Sequence, residues 1–113
     1  MRLIAGAGAL TTTADGTPHW VEQFRVPDLS VGTYSIPAGG TDGQQPHTED
    51  EIYVITAGQA TLIAGPDGAQ TSLPVQPGAV IYVPAREPHH FADITQDLAA
   101  LVLFAPAEDT RAH

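Results

Sequence analysis

The sequence contains no cysteine and no lysine, and none of its apolar stretches approaches the ~20 residues of a membrane-spanning helix. Without cysteine there is no disulfide, no thiolate metal ligand and no cysteine nucleophile, and the redox compartment is left open. Four arginines stand against 13 acidic residues, which gives a formal charge of −9. This charge argues against nucleic acids and anionic lipid surfaces as partners. We expect no membrane partner and, by default, a cytoplasmic location.

What the sequence does contain is typical of an all-β domain. Its 113 residues suffice for one domain but not for two, and 42% of them are hydrophobic, which is enough for a core. The 11 glycines and 10 prolines separate short runs rich in threonine and valine. Such runs, with a turn about every ten residues, predict a single sandwich or small barrel without a long helix.

The two ends of the chain are expected to lie outside the main body of the domain. Residues 1–19 begin with one arginine and a short apolar run. A signal peptide needs a more basic start and a longer apolar centre, so we expect an N-terminal lead-in or a first strand here. Residues 105–113 are expected to form a tail.

Two predicted strands, 79–83 and 98–104, are apolar on both faces. Strands of this kind require cover on both sides, whereas a single small barrel covers only its inner side. The second face would therefore pack against another sheet or another subunit. On this ground we expect a homodimer.

His47 and Glu51 stand four residues apart at the start of an apolar run. Four residues of a straight strand span about 13 Å, too far for two side chains to share one ion at about 2 Å from each. They can share it if Thr48–Asp50 forms a turn. Otherwise the acidic triplet at 49–51 is simply an exposed turn before a strand.

A third candidate ligand lies further along the chain, where a turn rich in proline leads into another strand. His89 and His90 are adjacent there, so only one of them can face the interior. Spacing does not decide which one. Two histidines and one glutamate form the ligand set of a facial triad, although each residue alone is more often an ordinary surface or structural side chain.

The sequence resembles the cupin superfamily, whose members are small jelly-roll β-barrels with two motifs. For the first motif, Gly40 precedes Gln45-Pro46-His47, Glu51 follows after three residues, and Gly58 closes it after six more. For the second, Gly78 is followed by the matching positions Pro84, Arg86, His89 and Asp93. The resemblance covers about residues 30–104 and implies one cupin domain over 1–113.

The resemblance implies that His47, Glu51 and His89 bind one divalent transition metal per chain, either Fe, Mn, Ni, Cu or Zn. It selects His89 over His90. Gln45 stands where the family has its first histidine, so it would ligate weakly through its amide oxygen, hold a bound water behind the ligands, or mark a lost metal site.

Other residues are candidates for the pocket and its chemistry. Tyr53 and Ile55 share the strand phase of Glu51, Phe91 shares that of His89, and Tyr34 comes from a preceding strand. Tyr53 is a candidate acid or base, with core packing as its plainer role. Arg86, which occupies a glycine position of the motif, implies a turn without a strict positive φ and could pair with an anionic substrate.

These features predict a metal-dependent enzyme acting on a small organic substrate. With Fe(II) it would be a dioxygenase or another oxidoreductase, and with Mn, Ni or Zn a Lewis-acid isomerase, cyclase or lyase. The alternatives are a non-catalytic cupin that binds a small molecule as a sensor or carrier, and a scaffold protein whose polar cluster is incidental. A shared fold does not choose among them.

Overall fold

The structure is a computed structural model that describes residues 1–111. Its strands are β1 (His19–Val26), β2 (Leu29–Ile36), β3 (Asp50–Ala64), β4 (Thr71–Val75), β5 (Val80–Val83) and β6 (His89–Ala105). All pairings are antiparallel, in the order β1-β2-β6-β3-β4, and β5 pairs with the first part of β3. Residues 1–111 contain no helix, and therefore no helix long and apolar enough to span a membrane. The predicted all-β class is confirmed.

The two longest strands, β3 and β6, pair with each other over most of their length. Their register shifts repeatedly between Ile55 and Thr61, which bends both strands. Gly58 lies at this bend with φ of +87°, and a Cβ atom there would lie 2.3 Å from the carbonyl oxygen of Asp97. Gly58, which closes the first motif, is therefore required for two reasons: a side chain would collide with the backbone of Asp97, and φ is positive.

The bend folds the sheet over a single hydrophobic core. Side chains from β2, β3, β5 and β6 alternate inward and fill it. The largest fully buried apolar side chains are Tyr53, Phe91, Phe104, Ile36, Ile55, Leu62, Leu98, Val83 and Val102.

Residues 1–18 contain no strand and lie across the outer face of β2, β6 and β3. The Gly8 amide donates to Thr33 Oγ1 at 2.8 Å, and the Gly8 carbonyl accepts from Thr56 Oγ1 at 2.6 Å. A Cβ on Gly8 would lie 3.8 Å from Leu101 Cβ. The N-terminal segment thus covers part of the apolar outer face of β6, for which a second subunit was expected. In contrast, Val80 and Tyr82 of β5 remain 64% and 58% exposed.

Of the tail expected over residues 105–113, Ala105 belongs to β6, residues 106–111 contact the rest of the domain, and residues 112–113 lie outside the described residues. Ala107 is buried, and its amide donates to the carbonyl of Pro27 at 3.2 Å. The Glu108 amide donates to Ser30 Oγ at 2.9 Å. Residues 106–111, called here the C-terminal segment, therefore pack against the β1–β2 turn.

The turn between β5 and β6 also differs from its prediction. Arg86 has φ of +68°, so the expectation of a turn without positive φ was wrong. The left-handed conformation allows the Arg86 amide to donate to the carbonyl of His47 at 2.7 Å. Asp93, at the asparagine position of the motif, also has positive φ (+49°), which aspartate tolerates better than most residues.

Candidate metal centre

The bend in β3 and β6 creates the candidate site between two layers of the sheet. Glu51 pairs with Phe104 at one end of the β3–β6 ladder, and Ala64 pairs with His89 at the other. Thirteen residue steps separate Glu51 from Ala64, which would span about 43 Å in a straight strand. Nevertheless Glu51 Oε1 lies 3.1 Å from His89 Nε2. The folded sheet brings together residues that are far apart along it.

His47 completes this group from the segment that leads into β3. The chain bends at Thr48 and Glu49, and β3 begins at Asp50, so the bend is one residue shorter than the expected turn at Thr48–Asp50. One ligand atom from each of His47, Glu51 and His89 lies within 4.8 Å of the other two. His90 is partly exposed and does not belong to this group.

His89 is oriented in the manner of a metal-binding histidine. Its Nδ1 lies 2.8 Å from the carbonyl oxygen of Glu87, to which it donates as N–H. Nε2 therefore faces the site, 3.0 Å from the Tyr53 hydroxyl and 3.1 Å from Glu51. Burial opposes protonation of His89, but the contacts with Glu51 and Glu87 outweigh it and raise its pKa.

Glu51 supplies a buried carboxylate oxygen that lacks a hydrogen bond. Its side chain is only 2% exposed, and Oε1 has no hydrogen-bond partner among the described residues although His89 Nε2 is close. The contact is short, but its geometry is not that of a hydrogen bond. A buried carboxylate oxygen without a partner is costly, and a bound cation would compensate it.

The glutamine in this cluster is Gln44, not the predicted Gln45. Gln44 Oε1 lies 3.0 Å from His47 Nε2 and 3.1 Å from the Tyr53 hydroxyl. The Gln45 side chain is exposed and borders a separate surface hollow. Residues 41–47 form no regular strand, so the alternation that the prediction assumed does not apply there.

Tyr53 lies beneath the cluster and is 1% exposed. Burial, followed by the negative charge of Glu51, raises the pKa of the Tyr53 hydroxyl well above its ordinary value. The hydroxyl is therefore a proton donor at neutral pH. It faces two acceptors, Gln44 Oε1 and the lone pair of His89 Nε2.

A hollow of about 140 Å³ leads from the surface to this cluster. It is smaller than the pockets of drug-sized ligands, so it suits one small organic molecule at most. The lining residues are Trp20, Tyr34, Gln44, His47, Glu51, Tyr53, Val102, Phe104 and Glu108.

Only some of the residues predicted to form the pocket wall line this hollow. Tyr34 lines the hollow. Ile55 and Phe91 do not line it, and both belong to the hydrophobic core. Phe91 packs behind Tyr53, with ring centroids 5.0 Å apart. Arg86 is exposed in its turn and is absent from the lining, so its proposed pairing with a substrate anion in this hollow has no support.

Glu108 enters the hollow from the C-terminal segment and had no signal in the sequence. Its Oε2 lies 3.5 Å from His47 Nδ1. Burial, followed by the charges of Asp109, Glu22 and Glu51, raises the pKa of Glu108 to about 7. The aromatic wall of Trp20 and Phe104 was also missed, since neither residue belongs to a motif.

The residues of the cluster fit a divalent transition metal. Two ligands about 2.1 Å from one ion lie about 3.0 to 3.4 Å apart when they are neighbours in its coordination shell. Here Glu51 Oε1 and His89 Nε2 are 3.1 Å apart, and one ligand atom from each of His47, Glu51 and His89 lies within 4.8 Å of the other two. Imidazole and carboxylate together suit Fe, Mn, Ni, Cu and Zn, so the donor set agrees with the predicted group of metals but does not select one.

Comparison with known proteins gives the family. The family model described as "Cupin domain" matches residues 32–106. A protein of Streptomyces coelicolor, "Uncharacterized protein SCO3923", is 40% identical over 89 residues, which cover 79% of this chain and 81% of that protein. The chain belongs to the cupin family, as the two motifs indicated.

Solved structures confirm the jelly-roll fold. The DMSP lyase DddQ from Ruegeria pomeroyi DSS-3 has a TM-score of 0.70 at 22% identity, and the match covers 93% of this chain and 54% of that one. The Fe(II) form of HppE has a TM-score of 0.67 at 13% identity, with coverage of 92% and 58%. This chain therefore spans little more than half the length of either protein. At these identities the likeness shows the fold alone.

Proposed function

We propose that this cupin is a metalloenzyme that binds one divalent transition metal through His47, Glu51 and His89 and acts on a small organic molecule. The observation that carries the proposal is the unpartnered, buried Oε1 of Glu51, which lines the open hollow and lies 3.1 Å from His89 Nε2. The same fold occurs in a DMSP lyase and in HppE, whose structure is of an Fe(II) form, so the fold is compatible with an enzyme and with iron.

The metal would supply either O₂ activation, as Fe(II), or polarisation of a substrate carbonyl or bound water, as Mn, Ni or Zn. The chain itself would bind the substrate between Trp20, Tyr34 and Phe104, whose rings exclude water from its apolar part. The protonated hydroxyl of Tyr53 can donate to a substrate oxygen beside His89. Tyr53 is in this way the candidate acid.

The charge of the hollow bears on which substrates fit. No arginine lines it among the described residues, whereas Glu51 and Glu108 both do. The hollow therefore best suits a substrate whose part that lies away from the metal carries no negative charge. A small aromatic or chelating oxygen compound has the required chemistry.

The alternative function is binding without turnover, as a sensor or carrier of a small molecule. The aromatic wall favours it, because Trp20, Tyr34 and Phe104 form an apolar surface whether or not a metal is bound. Native mass spectrometry of protein purified under mild conditions would reveal a retained organic ligand. Consumption of O₂ or of a carbonyl substrate by the metal-loaded protein, lost in His89→Ala, would favour the enzyme.

The first test is metal analysis by plasma mass spectrometry on untagged protein purified without chelator. We expect near-stoichiometric metal in the wild type and in Gln45→Ala, and little in His47→Ala or Glu51→Ala, because Glu51 is the anionic ligand and Gln45 is outside the cluster. Circular dichroism would establish that each variant is folded. Absence of metal, even after anaerobic reconstitution with Fe, Mn, Ni, Cu and Zn, would refute the proposal.

The homodimer and the cytoplasmic location stay predictions. The exposed Val80 and Tyr82 on β5 are the apolar face on which a second copy would pack. Light scattering of the wild type and of Tyr82→Glu would test the dimer, and a monomeric wild type would contradict it.

A further inference from the structure

Gln44 is held in one orientation, with its amide oxygen directed into the candidate metal centre. Its Nε2 donates to Asp42 Oδ2 at 2.6 Å, and its backbone amide donates to Asp42 Oδ1 at 3.1 Å. A carboxylate cannot donate, so it accepts only the NH₂ side of the amide. The contact with Asp42 therefore fixes Oε1 toward His47 and Tyr53.

Asp42 is itself anchored on both oxygens and is 8% exposed. Oδ1 accepts from the Tyr34 hydroxyl at 2.7 Å, and Oδ2 accepts from the Phe91 amide at 2.8 Å. These contacts tie the irregular segment before β3 to β2 and β6. The arrangement holds Gln44 far more firmly than an exposed loop residue is held.

We propose that Gln44 supplies a fourth metal ligand through Oε1 and that Asp42 is its positioning residue. The inference rests on the metal site proposed above and adds a ligand that lies outside the motif. Oε1 is 3.0 Å from His47 Nε2, the separation expected of neighbouring ligands on one ion. The cupin motif has a histidine at the position of Gln45, and Gln44 precedes that position by one residue.

The substitution of an amide oxygen for an imidazole has a consequence for metal preference. A neutral oxygen is a harder and weaker ligand than imidazole, so it disfavours Cu(II), Ni(II) and Zn(II) more than Mn(II). The net charge on the ion is unchanged, since both groups are neutral. We therefore expect Gln44→His to raise affinity for Ni(II) and Zn(II) more than affinity for Mn(II).

A purely structural role for Gln44 makes the opposite prediction. If Oε1 serves only to accept a hydrogen bond from His47 Nε2–H, that hydrogen bond competes with the metal for the nitrogen. Gln44→Ala would then free His47, and metal affinity would stay the same or rise. The change in metal affinity on Gln44→Ala therefore distinguishes the two roles. Weaker binding indicates a ligand, whereas unchanged or tighter binding indicates a purely structural role.

The experiment is titration of metal-free protein with Mn(II) and Zn(II) by calorimetry, in the wild type, Gln44→Ala, Gln44→Glu, Asp42→Asn and the matched control Gln45→Ala. We expect Gln44→Ala and Asp42→Asn to weaken binding about 10- to 100-fold. Gln44→Glu keeps the oxygen and should bind at least as tightly as the wild type. Gln45→Ala should be unchanged.

A second readout is the visible spectrum of the Co(II)-substituted protein, which responds to the number and type of ligands. Loss of Oε1 should change the d–d bands in Gln44→Ala, while Gln45→Ala keeps the wild-type spectrum. Unaltered affinity and spectrum in a folded Gln44→Ala would overturn the inference and leave the three-residue site standing. Failure of the wild type to bind any metal would overturn both.

Discussion

The carboxylate of Glu49 accepts the backbone amide of Asp109 at 2.7 Å. Its second oxygen accepts the amide of Arg111 at 2.8 Å and the hydroxyl of Thr48. Glu49 is 1% exposed, although it belongs to an acidic triplet for which the sequence alone favours an exposed turn. It fastens the C-terminal segment to the start of β3, and that segment carries Glu108 into the hollow.

We expect Glu49→Ala to destabilise the fold by about 2 to 4 kcal/mol, since it leaves two backbone amides without a charged acceptor. Urea denaturation would measure the loss. Glu22→Ala is the control, because it removes an exposed ion pair with Arg25 and should cost less than about 1 kcal/mol. Equal losses in the two variants would mean that the C-terminal segment is not held by Glu49.

Stability should also depend on pH through Glu108. Its pKa is raised to about 7, so the folded protein holds a proton that the unfolded chain loses near its ordinary value of 4.5. The stabilisation is present below about pH 4.5 and is lost as pH rises to about 7. In metal-free protein, Glu108→Gln should therefore gain stability relative to the wild type between pH 4.5 and 7. If the difference in unfolding free energy between Glu108→Gln and the wild type stays constant across this pH range, the raised pKa of Glu108 is contradicted.

The fold could be predicted from the spacing of turns and strands, whereas the grouping of His47, Glu51 and His89 was implied by the resemblance to cupins, because spacing alone did not choose between His89 and His90. Turn residues recur about every ten positions, and the motifs set His47, Glu51 and His89 at positions where a bent sheet brings them together. The reason for Gly58 could not be seen, since its neighbour, Asp97, is 39 residues away in the chain.

The rest of the site could not be predicted, for reasons that differ by residue. Gln44 lies in an irregular segment where side chains have no period. Ile55 and Phe91 have the predicted inward phase but lie below the hollow, because the interior beyond Tyr53 is filled. Glu108 is placed by hydrogen bonds that its own amide donates to Ser30 Oγ and that the next amide, of Asp109, donates to Glu49, which no local pattern indicates.

Gly58→Ala should be far more damaging than Gly78→Ala. Both glycines have positive φ, but a Cβ on Gly78 would have no atom within 4 Å, whereas one on Gly58 would overlap the backbone of Asp97. We expect a loss of about 1 kcal/mol for Gly78→Ala, from the dihedral angle alone. For Gly58→Ala we expect more than about 3 kcal/mol, measured by thermal or urea denaturation. Similar losses would show that the bend tolerates a side chain.

Trp20 gives a direct optical test of the hollow. It is the single tryptophan of the chain, it is 37% exposed, and its ring lies against Gly32 and near Tyr34 and Phe104 in the hollow's wall. A small aromatic ligand that enters the hollow removes water from the indole, so its emission should shift to shorter wavelength in a saturable manner. Tyr82→Phe, on the exposed face of β5, should shift equally, and Glu108→Phe should block entry and abolish the shift. If calorimetry shows that a ligand binds but the emission wavelength of the wild type does not change, the ligand binds elsewhere on the protein.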